Sequence, residues 1–240
     1  MINIELASIL REHFADQSII TTKEITEVLT SAYPELSPST IAWRISQLKK
    51  DNLIYQSGRG LYSFEFKPEY KPEFSLKSKR LYNRISPFCK KELVMWDTQM
   101  LNDVAGSAVE RYWIFVSVNK EEVDSLFDNM LDFSKQTFLQ PDNDTINRYL
   151  MAHNEAIIIT PLISETPLYT IGEYTTLSIE ALLVNVWMKY ESLLQPIGFD
   201  IKVLYQQAFQ KYNVNQSKLL RYAARRDKRK EINEFIKTLL

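Results

Sequence analysis

Cysteine occurs once, at Cys89, in a chain of 240 residues. A single sulfur can form neither an intramolecular disulfide nor a thiolate metal cluster, and such sparing use of cysteine fits the cytoplasm. Histidine occurs only at His13 and His153, and neither has a second nitrogen or sulfur ligand at zinc-site spacing. With five glycines in all, the chain has no glycine-rich phosphate loop, and it also lacks a Walker lysine and a nucleophile elbow. The first fourteen residues carry Glu5, Arg11 and Glu12, which does not fit the apolar core of a signal peptide. No uncharged apolar run approaches the length that spans a bilayer. The expectation is therefore a cytoplasmic protein with no membrane partner, no cofactor and no metal, and not an enzyme. Charge of either sign is also missing in excess: the net value is -1. Any nucleic-acid contact must come from local basic patches.

What is present is ample material for a core, with 45% hydrophobic residues against 25% charged, the balance of a globular chain. Residues 67–79 contain Pro68 and Pro72, alternate charges with aromatics and lack helical periodicity. Proline bars a regular helix there, so the stretch reads as an extended linker. It divides a small domain, 1–66, from a larger one, 80–240.

The small domain reads as three helices and a hairpin. Leu6, Leu10 and Phe14 mark one helical face, and residues 18–20 can form a short extended segment. Thr21 and Glu24 make a capping box for a helix burying Ile25, Val28 and Leu29, which Tyr33-Pro34 ends. Ser37 caps and Pro38 opens a third helix that buries Ile41, Ile45 and Leu48 and stops at Asp51-Asn52. Leu53–Gln56, a turn at Ser57–Gly60 and Leu61–Phe66 form a two-stranded wing. In the larger domain Leu93–Trp96, Tyr112–Val118 and Ala156–Thr160 read as strands. A helix over about Lys120–Phe133 has Asn119 as N-cap and Glu122 as capping-box partner. After Thr176 the pattern is helical almost to the end, with Ile179–Met188, Ile201–Tyr212 and a last helix beginning after Asn215. The fold class is thus α+β: an N-terminal winged helix-turn-helix, then a larger mixed α/β domain with a helical C-terminal tail.

In the third helix the apolar side chains account for one face and leave Ser39, Thr40, Trp43, Arg44 and Gln47 outward. A recognition helix needs such a face, since Arg and Gln can read base edges bidentately. Lys49, Lys50 and Arg59, the last on a turn between two glycines, would sit near phosphates. Glu5, Glu12, Asp16, Glu24, Glu27 and Glu35 all precede this helix, so the acidic half should face away from DNA. A winged helix that binds only protein is the competing reading.

Near the C-terminus Lys218, Arg221, Arg225, Arg226, Lys228, Arg229 and Lys230 stand against one acid, Asp227. At helical spacing Arg221, Arg225 and Arg229 form a single stripe, with Lys218 and Lys228 alongside. The stripe can be a second phosphate-binding surface or a solvated face complementing the helix dipole. A further alternative is a metal-dependent nuclease or nucleotidyltransferase-like enzyme using Asp97, Glu155, Glu165 and Glu180.

In order along the chain, Gly58–Tyr62, Met95–Asn102, Ile159–Leu168, Ile179–Asn185 and Leu219–Arg226 resemble blocks of the abortive-infection AbiEi antitoxin family, predicted transcriptional regulators of viral defence systems. Met95–Asn102 is similar to that family's strand-and-helix segment. Asn185 departs from it, because relatives often carry an acid there. The resemblance implies a DNA-binding regulator that represses its own type IV-like toxin–antitoxin operon. The implied partners are double-stranded operator DNA and, functionally, a nucleotidyltransferase-like toxin, with a homodimer on DNA left open. It also implies that basic surface from both domains can serve the DNA, drawing in the C-terminal arginines.

Overall fold

The computed structural model describes residues 2–17 and 19–239, so Ser18 of the expected extended segment 18–20 lies outside the described residues. Helix and strand are mixed along the chain, with three separate small sheets among the described residues. The chain divides into two compact units. One comprises the residues up to Glu69 together with Lys211–Ser217, the other Tyr70–Gln210 with Lys218–Leu239.

In the first unit α1 (Ile2–His13), α2 (Thr22–Ala32) and α3 (Pro38–Lys50) accompany a three-stranded antiparallel sheet of β1 (Ile20–Thr21), β2 (Tyr55–Gly58) and β3 (Leu61–Ser63), in the order β1-β3-β2. One apolar cluster joins them: Leu6, Leu10 and Phe14, Ile25 and Leu29, and Ile41, Ile45 and Leu48, sealed by Ile20 and Ile54. These positions recur at three- and four-residue spacing, so each short helix buries one stripe and leaves the rest in water. The ends are set locally. The Thr21 hydroxyl accepts from the Glu24 amide while the Glu24 carboxylate accepts from the Thr21 amide, completing the expected capping box. Ser37 accepts from the Thr40 amide, with Pro38 in the first turn. Helix α3 stops in a Schellman turn: Asn52 is left-handed (φ 57°), the Leu53 amide bonds the Leu48 carbonyl and the Asn52 amide that of Lys49.

The second unit is built on a four-stranded sheet ordered β4-β5-β7-β6, where β4 is Val94–Asp97, β5 Tyr112–Val118, β6 Thr137–Leu139 and β7 Glu155–Pro161. β4 is antiparallel to β5, whereas β5, β7 and β6 run parallel. The crossovers carry α6 (Val123–Leu131) and α7 (Asn143–Arg148). Four consecutive residues of β4 are buried, as are Trp113, Ile114, Phe115 and Val116 in the centre of β5, the double-sided burial expected of strands covered on both faces. A separate hairpin, β8 (Leu168–Ile171) and β9 (Tyr174–Leu177), leads into the largely buried α8 (Ile179–Lys189). Then follow α9 (Ile201–Lys211), α10 (Gln216–Arg225) and α11 (Arg229–Leu239).

Four sequence expectations need correction. Residues 70–79 are no free linker, since Tyr70, Pro72 and Phe74 are buried. Ser75 also caps a further helix, α4 (Leu76–Ile85), through the Ser78 amide. The capping box at Asn119 does not form. The turn Lys120–Glu122 is 3-10, Asn119 makes no side-chain cap, and the Glu122 carboxylate instead accepts from the Lys90 amide at 2.7 Å. The segment Lys211–Ser217, expected in the larger domain, belongs to the first unit. There Asn213 bonds the carbonyls of Pro68 and Gln56. Finally, the basic C-terminal helix is two helices, because Asp227 adopts φ 54° and closes a Schellman turn, with the Lys228 amide on the Ala223 carbonyl and the Asp227 amide on that of Ala224.

Candidate nucleic-acid interface

Helix α3 places its polar residues in three different states. Ser39 and Thr40 are tied into the start of the helix, each hydroxyl 2.8 Å from that of Ser37. Trp43 is 53% exposed. Arg44 is half-buried: its guanidinium donates to the Asn3 side-chain oxygen at 3.3 Å and lies over the Trp43 ring, while its Nε is buried without a partner. Gln47 is half-exposed and Lys50 exposed. Lys49 reaches across to the Gln56 side chain of β2 at 2.9 Å, linking the helix to the hairpin.

The hairpin tip packs closely on the start of α2, the Thr22 amide donating to the Gly60 carbonyl at 2.8 Å. Gly60 is left-handed (φ 70°), and a Cβ there would stand 3.1 Å from the Thr22 hydroxyl. Between Gly58 and Gly60 the Arg59 side chain is exposed. A bulge between Gln56 and Gly58 bends the hairpin, as bulges do at strand ends that aim a side chain outward.

The C-terminal cations in the second unit do not form one stripe. Lys218 pairs with the buried Glu180 at 3.1 Å, so its charge is committed within the fold. Arg225 bonds the Ser164 hydroxyl and lies 3.9 Å from Glu165. Arg221 is exposed on α10. Arg229, beyond the Asp227 break, opens α11, so it and Lys230 sit at a helix N-terminus, where the dipole disfavours cations. The dipole account therefore fits only the end of α10, where Arg225 lies in the last turn and Arg226 follows it. Arg226 turns toward an interior cavity and is half-buried.

The carboxylates weighed for catalysis are separately engaged. Asp97 caps α5 (Thr98–Ala105) through the Met100 amide and accepts from the Ser78 and Tyr112 hydroxyls. Burial raises its pKa more than these bonds lower it. Glu180 is held by Ser178 and Lys218, and Glu155 pairs with Lys77. Among the described residues no group of three His, Cys, Asp or Glu side chains is placed to hold a metal. No helix among them is long and apolar enough to cross a membrane.

These features define a mixed α and β protein whose first unit carries an outward polar helix face beside a glycine-tipped hairpin. The chain belongs to the DUF6577 family, a family of unknown function, which matches residues 40–240. No curated protein matches it.

Proposed function

We propose that the first unit is a winged helix-turn-helix and that the protein is a DNA-binding transcriptional regulator. The observation that carries this reading is the polar side of α3, where the exposed Trp43, half-buried Arg44 and half-exposed Gln47 lie outside the apolar cluster, in the same unit as the exposed Arg59 of the hairpin. A helix of this kind enters the major groove with its polar face to the base edges, while a wing meets the flanking phosphates. Arg44 and Gln47 can supply bidentate contacts. Lys50 and Arg59 are the phosphate contacts. Arg221 and Arg229 are candidates for a second phosphate surface. The resemblance to AbiEi-like antitoxins extends the proposal to repression of the protein's own operon beside a nucleotidyltransferase-like toxin.

The test is a mobility-shift titration of the full chain against duplex DNA from upstream of its own gene and against a scrambled duplex of equal length. Tighter binding of the upstream duplex, weakening steeply with salt, is the expected result. Equal, salt-insensitive or undetectable binding of both overturns the proposal.

A further inference from the structure

The second unit holds a cavity of about 330 Å3 that Arg226 lines. Its size is within the roughly 300–1,000 Å3 of small-molecule sites. It opens where the parallel strands end: Ser117 comes from the end of β5, Thr160 from the end of β7, and Gln140 follows β6 directly. The carboxyl edge of parallel strands is where open α/β sheets hold their ligands.

One wall is a single face of α8. Asn185 and Lys189 of α8 and Ser192 just past its end lie at i, i+4 and i+7, and all three line the cavity. The helix changes to π-helical winding at Tyr190–Leu194, a distortion common at binding sites. Tyr222 of α10 braces this wall, with its hydroxyl 3.3 Å from the Asn185 amide and 3.1 Å from Thr166. Across the cavity the Ser117 and Thr160 hydroxyls are 3.1 Å apart.

The electrostatics are one-sided. Lys189 and Arg226 both line the cavity, and no aspartate or glutamate does. Among the described residues neither cation has an ion-pair partner. Lys189 packs over Phe115, Nζ 5.4 Å from the ring centre, and Phe115 is stacked on Trp96. Its remaining exposure is toward the cavity, although protein surrounds most of the side chain. Burial, and then the neighbouring charge of Arg226, push the Lys189 ammonium down to about 8. Burial and the like charge of Arg226 thus both disfavour the Lys189 ammonium, with no acid among the cavity-lining residues to offset them. An anion removes both penalties at once.

We propose that this cavity binds a small organic anion whose phosphate or carboxylate group sits at Lys189 and Arg226, with its polar body against the Ser117 and Thr160 hydroxyls. The inference stands independently of the DNA reading, because every residue it uses belongs to the second unit.

The experiment is calorimetric titration of the full chain with inorganic phosphate, adenosine 5′-monophosphate, succinate and, as the uncharged control, adenosine. Saturable binding of at least one anion and none of adenosine is expected, and the responding anion tells phosphate from carboxylate recognition. Lys189→Met and Arg226→Gln should each weaken that binding at least tenfold, while Arg226→Lys should retain it within about threefold. A second readout follows the Lys189 Nζ by NMR: the bound anion should move its titration upward from about 8. The proposal is overturned if no anion saturates, if the charge-removing variants bind as tightly as the parent, or if Lys189 titrates identically with and without anion. It is equally overturned if Arg226→Gln weakens only duplex DNA, which would place a nucleic-acid phosphate there instead.

Discussion

The Arg44 guanidinium lies over the Trp43 ring, with its central carbon 4.9 Å from the ring centre. Neighbours in sequence on a helix point in different directions, so this pairing is made by Arg44 folding back toward Asn3 of α1. Base reading requires the guanidinium to leave Asn3 and extend. Arg44→Ala should then cost about 1–3 kcal/mol of DNA affinity and relax preference at one base pair. A shift assay over a panel of single-base operator variants checks this, and an unchanged pattern of preference removes Arg44 from the base-reading set.

Arg59 is predicted to act differently. As a proposed phosphate contact it would carry no sequence information, so Arg59→Ala should weaken all duplexes evenly and reduce the salt slope by about 1. Binding measured at several salt concentrations separates this from the Arg44 effect. A sequence-dependent loss would mean that the hairpin tip enters a groove.

Much of the fold was legible where one short-range rule acted alone. The Thr21–Glu24 box, the Ser37-Pro38 start and the Asp51-Asn52 stop were readable because each needs only neighbouring residues, and β5 was readable because six of its seven residues are branched or aromatic. Asn119 failed because Glu122, its expected partner, is taken by the amide of Lys90 far away in sequence. The segment Lys211–Ser217 failed because its partners, Gln56 and Pro68, lie about 150 residues earlier. The outward face of α3 could be read from periodicity. The Lys189–Arg226 cavity could not, since Lys189 is one lysine at the end of an apolar helix and its meaning depends on a second helix. The polar spacing Asn185, Lys189, Ser192 was the one signal that could have found it.

The capping box gives a pH dependence of definite sign. Glu24 is held below its ordinary value of 4.5, first by the Thr21 hydroxyl, then by its backbone amide. A depressed carboxylate contributes stability above its unfolded pKa and loses it as pH falls through the folded value. Thr21→Ala should cost about 1 kcal/mol at neutral pH, and the difference from the parent should shrink below pH 4.5. Urea midpoints at neutral and acid pH check it; a constant difference would deny Glu24 its part.

Asp97 shows the opposite shift, because burial outweighs its three hydrogen bonds. Its raised pKa means that the folded state holds the proton more tightly than the unfolded chain does. The contribution of Asp97 to stability therefore declines as pH rises through that value. Asp97→Ala removes the α5 cap and the acceptor shared by the Ser78 and Tyr112 hydroxyls, which are left with each other and Ser75, and about 2–3 kcal/mol should be lost. Asp97→Asn keeps an oxygen for the Met100 amide, and both hydroxyls can turn to accept from the new amide, so the cost should stay below about 1.5 kcal/mol. Thermal unfolding of the two variants checks the order. Equal losses would show that the carboxylate charge itself matters more than the bonds.

The break at Asp227 decides whether Arg221, Arg225 and Arg229 can share one face, and it has its own stability signature. Asp227 is left-handed, a conformation costly to most side chains and free for glycine. Asp227→Gly should therefore stabilise the protein by about 0.5–1 kcal/mol, even after the greater freedom glycine gains in the unfolded chain. Asp227→Ala should destabilise it, because alanine gains nothing in that region and loses the polar side chain that tolerates it. In a continuous helix the order would reverse, since alanine is the best helix former and glycine costs about 1 kcal/mol relative to it. Urea midpoints ranked Gly, Asp, Ala from most to least stable thus establish a two-helix C-terminus in solution. The reverse ranking would restore the single arginine stripe and with it a longer basic surface for DNA.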